Sequence, residues 1–217
     1  MSYPELPDTL LQVEDESLRR WKDEDLFRKT LEQNADQERF VFYEGPPTAN
    51  GRPGLHHILS RTIKDLVCRH RAMLGHSVTR IAGWDTHGLP VEIEAEKKLG
   101  ISGKPEIEAL GIAEFNQVCK DSVFTYKEEW EELSERIGYW LEYWRPYVTF
   151  HTTYIESVWA ILKTFADKGL LYRGHKSVPY CPRCGTALSS HELALGYATH
   201  RSPSIYVLFP LQNEDGN

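Results

Sequence analysis

Residues 43–57 read Tyr-Glu-Gly-Pro-Pro-Thr-Ala-Asn-Gly-Arg-Pro-Gly-Leu-His-His, a Gly/Pro-rich stretch that ends on two adjacent histidines. Upstream of it, Phe40–Tyr43 is a short apolar run, which predicts a strand. Downstream, Leu59, Ile63, Leu66, Val67 and Leu74 fall at helical spacing, which predicts a helix over Ile58–Leu74 with Gly75 as its C-cap. A loop between a strand and a helix N-terminus suits phosphate, because the free backbone N–H groups and the helix dipole both favour negative charge there. Proline and glycine that do no more than end a strand are the alternative; the strand before the loop and the His-His pair after it favour the phosphate reading. Ser77–Ala82 predicts a second strand, so strand, helix and strand form a βαβ unit with parallel pairing and a right-handed crossover.

Working outward, Gly83–Pro90 reads as a second loop at a strand end, followed by a short helix at Val91–Leu99. The strongest helical signal covers Ile112–Leu141, where Phe115, Cys119, Val123, Tyr126, Trp130, Leu133, Ile137 and Trp140 recur every three or four residues. A strand at Tyr147–Phe150 and a helix at Tyr154–Lys168, capped by Gly169, come next. Pro4–Gln33 has the pattern of an N-terminal helical arm. From Leu170 the chain turns to short strands at Leu171–Tyr172, Ser177–Tyr180, Ala194–Tyr197 and Ile205–Leu211. The last of these has few partners left to cover it, so the sequence reads as a fragment.

Composition narrows the class. The 217 residues are 41% hydrophobic and 26% charged, ordinary for a water-soluble domain, and no run of 18 apolar residues spans a bilayer. Met1–Arg20 is too acidic and polar for a signal peptide, so a cytoplasmic location is expected, with no membrane partner. A net charge of −7 argues against a strong nucleic-acid surface on this piece. Cys68 and Cys119 sit alone in helical patterns and read as small buried hydrophobes. Cys181 and Cys184 differ: Pro179-Tyr180-Cys181-Pro182-Arg183-Cys184-Gly185 has the form of half a zinc knuckle, two thiolates on one turn. A pair of buried cysteines is the alternative. His175 or His191 are local candidates for a further ligand.

Here a family resemblance becomes specific. The segments FYEGPPTANG, AGWDTHGLPVE, FNQVCKDSVFTYKEEWEELSERIGYW, TYIESVW, KGLLYRGHKSVPYCPRCGTALSSHELALGY and SIYVLFPL cover almost the whole chain. Together they resemble the N-terminal portion of the isoleucyl-tRNA synthetases, class I enzymes, in their eukaryote-like (type 2) branch. GWDTHGLP favours the isoleucine enzyme over the valine and leucine members. The resemblance implies an α/β fold: the first half of a Rossmann-type parallel sheet with flanking helices, then a small zinc-knuckle base of an insertion. It also implies a division into an arm (1–38), half of the catalytic domain (39–170), the zinc-knuckle base (171–200) and the start of an editing insertion (201–217).

The implied reaction joins ATP, with its Mg2+, and L-isoleucine into an enzyme-bound adenylate, then passes the aminoacyl group to tRNA(Ile) through parts mostly outside this chain. The enzyme would be a monomer, and this fragment alone would not charge tRNA. By the same resemblance Gly45 and Pro46 line the amino-acid pocket and Asp85 holds the substrate ammonium, with Trp84 and His87 in support. Asp85 also suits a turn or an N-cap ahead of Gly88-Leu89-Pro90. Thr48, Asn50, Gly54, His56 and His57 would bind ATP, and His56 and His57 would be the catalytic pair. Structural zinc on Cys181 and Cys184 would be completed by a second Cys-x-x-Cys beyond this chain.

One position departs from the family. Its usual motif is His-x-Gly-His, whereas this chain has Gly54-Leu55-His56-His57, so the first and third positions have exchanged side chains. Losing one preorganised donor costs on the order of 10²–10³ in rate. Either His56 turns to supply the lost donor, or the chain is a weak relative or an active-site mutant. The intact Pro46, Asn50, Asp85 and His57 favour activity, and a reshaped pocket would exclude an adenylate-mimicking antibiotic such as mupirocin. A non-catalytic nucleotide- or zinc-binding module is the alternative from another class.

Overall fold

A computed structural model describes residues 9–194 and 196–210, apart from the side chain of His191. The start of the expected arm, Leu195 and Leu211 lie outside the described residues, as does the expected role of the His191 side chain. In chain order the elements are α1 (Leu10–Asp23), α2 (Leu26–Gln33), α3 (Leu55–Met73), β1 (Ile81–Trp84), α4 (Leu89–Leu99), α5 (Lys104–Leu110), α6 (Ile112–Ser122), α7 (Lys127–Arg136), β2 (Glu142–Val148), α8 (Thr152–Asp167), β3 (Tyr180–Cys181), β4 (Thr186–Ala187) and α9 (Ser190–Ala194). They fall into two compact units, residues 1–174 and 175–217. No helix among the described residues is long and apolar enough to cross a membrane.

The first unit is a helix-rich α/β structure around a parallel pair, β1 beside β2. The strand expected at Phe40–Tyr43 is extended chain rather than strand. It meets the neighbouring segment only at isolated parallel bridges, Arg39 with Ser77 and Thr48 with Asp85. Between them Pro46 and Pro47 have no N–H to give a ladder. The second strand starts later than its sequence suggests, at Ile81, because the Arg80 amide bonds the side chain of Glu142 (2.9 Å). The third lies at Glu142–Val148 rather than Tyr147–Phe150. Gly83 is required where β1 faces β2: a Cβ there would lie 2.2 Å from the Tyr147 ring.

The long helix expected over Ile112–Leu141 is broken in two. At the break, Tyr126 N–H donates to the Ala49 carbonyl (2.9 Å). One turn later Trp130 Nε1 donates to the Gly51 carbonyl (2.8 Å), so the interruption docks the 48–51 loop. Ala49, Trp84, Trp130 and Val148 form a core cluster directly beneath that loop. A second cluster, Ala82, Tyr139 and Leu141, packs beside Phe42. The arm closes on the same body through aromatic rings: Trp21 and Phe27 lie 5.2 and 5.3 Å from Trp140. The Arg69 guanidinium sits 3.6 Å from the centre of the Trp140 ring. Helix α5 went unpredicted, although Gly103 and Pro105 mark its start.

Helix α3 has an unexpected orientation. The apolar residues that reveal it face outward, with Leu59 and Leu66 about two-thirds exposed (66% and 65%). Its buried positions are Arg61 and Cys68. Buried charge is tolerable when paired, and Arg61 donates to Ser134 Oγ at 2.5 Å and to the Tyr143 hydroxyl at 3.3 Å. Asp65 pairs with Arg69 and, at 3.2 Å, with Arg80.

Among the described residues of the second unit, one antiparallel hairpin forms, β3 with β4, closed by Gly185 N–H on the Cys181 carbonyl (2.8 Å). The strands expected at Leu171–Tyr172 and over the described parts of Ala194–Tyr197 and Ile205–Leu211 are not formed, and Ser177–Tyr180 contributes only its last residue.

Candidate functional site

The loop from Glu44 to Arg52, the first turns of α3 and Trp130 of α7 line an open cavity of about 340 Å³. Gly45, Pro46, Thr48 and His57 all line it, so the predicted amino-acid turn and the second histidine meet at one place. The lining residues that carried no role from sequence include Glu44, Arg61, Lys64 and Trp130. Two of them were within reach of pattern reasoning. Arg61 and Lys64 lie four and seven residues after His57, which puts all three on one helix face. Trp130 carried no such signal, because its contact with the loop spans 79 residues.

His57 is held from two sides. Its backbone N–H donates to the Gly54 carbonyl at 3.0 Å. Its Nδ1 accepts from the Gly54 N–H at 2.8 Å. An Nδ1 that accepts cannot carry a proton, so the neutral ring holds its proton on Nε2, as a donor. Burial, then the neighbouring His56 and Arg61, push the imidazole below its ordinary range, which favours the neutral ring. The ring packs edge-on against Trp130, 4.7 Å away between centroids.

His56 is exposed, with its ring 3.7 Å from that of His57. The exchange of side chains at positions 54 and 56 is sterically coupled. A Cβ on Gly54 would lie 3.0 Å from His56 Cε1 and 3.1 Å from its Nδ1. Gly54 has φ −115°, open to any residue, so space rather than backbone conformation favours glycine here.

The other predicted site residues, Asn50, Gly54, His56 and Asp85, do not line this cavity. Asp85 is half-buried and reaches the loop through its N–H on the Pro47 carbonyl (3.0 Å). Its Oδ1 lies 3.5 Å from the His87 N–H, a loose turn contact. Asn50 donates to the Pro90 carbonyl at 3.0 Å, tying the loop to α4. Trp84 is buried in the core below, and His87 is exposed. On the Arg52 side, the guanidinium lies 3.4 Å from Glu129 and over the Tyr126 ring. What the cavity offers chemically is a neutral imidazole N–H donor and cationic side chains beside a Gly-Pro turn. That set suits an anion placed next to a small zwitterion.

In the second unit, hydrogen bonds from the backbone and side chain of Cys184 pull the Cys181 thiol below its ordinary range. Arg183 Nη1 lies 3.6 Å from Cys184 Sγ. A turn that favours thiolate suits a soft divalent metal. Among the described residues no group of three or more His, Cys, Asp or Glu side chains gathers, so His175 does not join the pair.

The chain is 55% identical over 207 residues to an isoleucine–tRNA ligase of Clostridium kluyveri, covering 95% of this chain and 20% of the relative. To the isoleucine–tRNA ligase of Thermus thermophilus it is 56% identical over 201 residues, 93% of this chain and 19% of the relative. The chain therefore spans about a fifth of the length of these relatives. Among solved structures, the leucyl-tRNA synthetase of Agrobacterium radiobacter K84, in a ternary complex with tRNA and LeuAMS, shares the fold at 22% identity and a TM-score of 0.50. That likeness covers 78% of this chain and 19% of the other. Residues 16–204 match the family tRNA synthetases class I (I, L, M and V), and the chain belongs to that family.

Proposed function

We propose that this chain is the N-terminal part of the catalytic core of an isoleucine–tRNA ligase, acting as a monomer in the cytoplasm. The observation that carries the reading is the shared cavity, in which Gly45, Pro46 and Thr48 meet His57 on the first turn of α3. The isoleucine carboxylate attacks the α-phosphorus of ATP, pyrophosphate leaves, and the aminoacyl group then passes to tRNA(Ile). Gly45 and Pro46 shape the amino-acid pocket, and Asp85 takes the ammonium in a charge-assisted bond. Thr48, Asn50, Gly54, His56 and His57 serve the nucleotide, the two imidazoles meeting the phosphates as negative charge builds on the leaving group. Mg2+ enters with ATP as part of the substrate. Zinc on Cys181 and Cys184 has a structural role, with its other ligands supplied from outside this chain.

Activity with the exchanged motif is supported by the fixed neutral tautomer of His57 and by the clearance that Gly54 leaves for His56. The same exchange puts an imidazole where the family's usual glycine admits adenine closely, and so disfavours adenylate mimics such as mupirocin. Isoleucine-dependent ATP–pyrophosphate exchange in the complete ligase tests the reading. Exchange with isoleucine well above that with valine or leucine is expected, and its absence overturns it. Restoring the usual order with Gly54→His and His56→Gly should tighten mupirocin binding; unchanged affinity removes the resistance idea.

A further inference from the structure

The most constrained unassigned group beside the cavity is a carboxylate. Glu44 directly precedes the Gly45-Pro46 turn, and its side chain is 1% exposed. Buried carboxylates are costly unless paired and hydrogen-bonded, and this one is held on both sides. It accepts from Lys64 Nζ at 2.5 Å and from the Tyr139 hydroxyl. Burial, with the Glu44 carboxylate against it, pushes the Tyr139 hydroxyl well above its ordinary range, so it stays a donor. The Glu44 main chain is fixed as well, its carbonyl accepting from the Tyr147 hydroxyl at 3.0 Å. Tyr147 in turn packs against Gly83 of β1, where no Cβ would fit.

These bonds join three separate segments at one residue. Lys64 lies on α3, two turns along the same face from His57. Tyr139 follows α7, and Tyr147 belongs to β2. We infer that Glu44 is a positioning residue: through Lys64 and Tyr139 it fixes the Gly45-Pro46 turn relative to the His57 helix, and so sets how the amino-acid carboxylate meets the α-phosphate. The inference rests on the ligase reading above. A misplacement of ~1 Å between reacting groups costs on the order of 10²-fold in rate, so the effect falls on kcat. Binding contacts on either side of the tie stay intact, so both KM values change little. Lys64 is 29% exposed and reaches water when its partner is neutralised, which separates the catalytic effect from unfolding.

The test uses the complete ligase. Glu44→Gln keeps the side chain's size but loses its charge, and should lower kcat of isoleucine-dependent pyrophosphate exchange by about 10–100-fold with KM values within about threefold. Lys64→Arg, which keeps a charged partner, should restore most of the rate relative to Lys64→Met. Tyr139→Phe, which leaves the ion pair in place, should lose less than Glu44→Gln. Folded fraction and melting temperature are read on every variant. A lowered melting temperature with unchanged kcat per folded enzyme would overturn the positioning role, as would full activity of Glu44→Gln. A wild type without isoleucine-dependent exchange would overturn the ligase reading and this role together, so the two failures are distinct.

Discussion

Substituting Gly54 by alanine probes the exchanged motif through one methyl group. The backbone accepts it, since φ is −115° and ψ 170°. The new Cβ would sit 3.0 Å from His56 Cε1 and 3.1 Å from His56 Nδ1, tighter than ordinary contact, while His57 Nδ1 at 3.8 Å is untouched. The atoms in the way belong to an exposed side chain, so the His56 ring moves rather than the helix. A ring driven off its preferred rotamer costs about 0.5–1.5 kcal/mol, too little to unfold the protein. With His56 in its proposed role as a donor to the phosphates, the catalytic cost is larger, on the order of 10²–10³ in rate. The assay is pyrophosphate exchange by the complete ligase, with thermal melting alongside. Gly54→Ala should reduce kcat steeply at a nearly unchanged melting temperature. Combined with His56→Gly, which removes the ring, the same alanine should have little further effect. Equal losses from Gly54→Ala with and without His56→Gly would refute the steric coupling, as would wild-type exchange by Gly54→Ala.

Three other outcomes follow from single contacts. Gly83→Ala would put a Cβ 2.2 Å from the Tyr147 ring, and overpacking of this kind costs about 1–3 kcal/mol; urea unfolding should show it, and Gly83→Ala with Tyr147→Ala should recover part of the loss. His57 titrates below its ordinary 6.5 in the fold, so the unfolded chain binds the proton first and stability falls as pH drops below that value. In His57→Gln that part of the dependence should vanish from melting curves taken across the same range, and an unchanged slope would count against the neutral tautomer. Cys181→Ser in the complete ligase should lower zinc content by one equivalent per chain, measured by atomic absorption; undiminished zinc would remove the knuckle assignment.

How much of this was legible in the sequence varied with the range of the contacts. Where local signals were complete they placed a helix closely: α4 begins two residues before its expected start, at Leu89, with Pro90 in its first turn. Strand positions drifted because side chains take over ladder bonds, as Glu142 does for the Arg80 amide. The Gly-Pro turn and His57 were legible as neighbours because both belong to one contiguous motif, and both line the same cavity. Glu44 belongs to it too, yet its meaning comes from Lys64 and Tyr139, the second 95 residues away. The break between α6 and α7 was invisible for the same reason. Phe115 to Trp140 keep helical spacing through it, and only the Tyr126 bond to Ala49 shows why the helix stops.

Helix α3 shows why periodicity can find an element and still mislead about which side faces inward. Its apolar residues recur correctly, and a helix is present, but the stripe lies on the exposed face of the described unit. The opposite face carries His57, Arg61 and Lys64, which line the cavity, and Asp65, which anchors Arg80. A face that offers donors and positive charge to a site cannot also be a hydrocarbon seam. The fold meets the resulting desolvation cost with partners supplied from far along the chain: Ser134 and Tyr143 for Arg61, Glu44 for Lys64. Removing such a partner leaves a buried or half-buried cation behind, whereas trimming one exposed leucine of α3 does not. Ser134→Ala should therefore destabilise this unit more than Leu66→Ala, although leucine loses more carbon. Urea unfolding of the two variants decides it, and a larger loss from Leu66→Ala would mean that the apolar stripe, not the paired charges, is the face on which α3 depends.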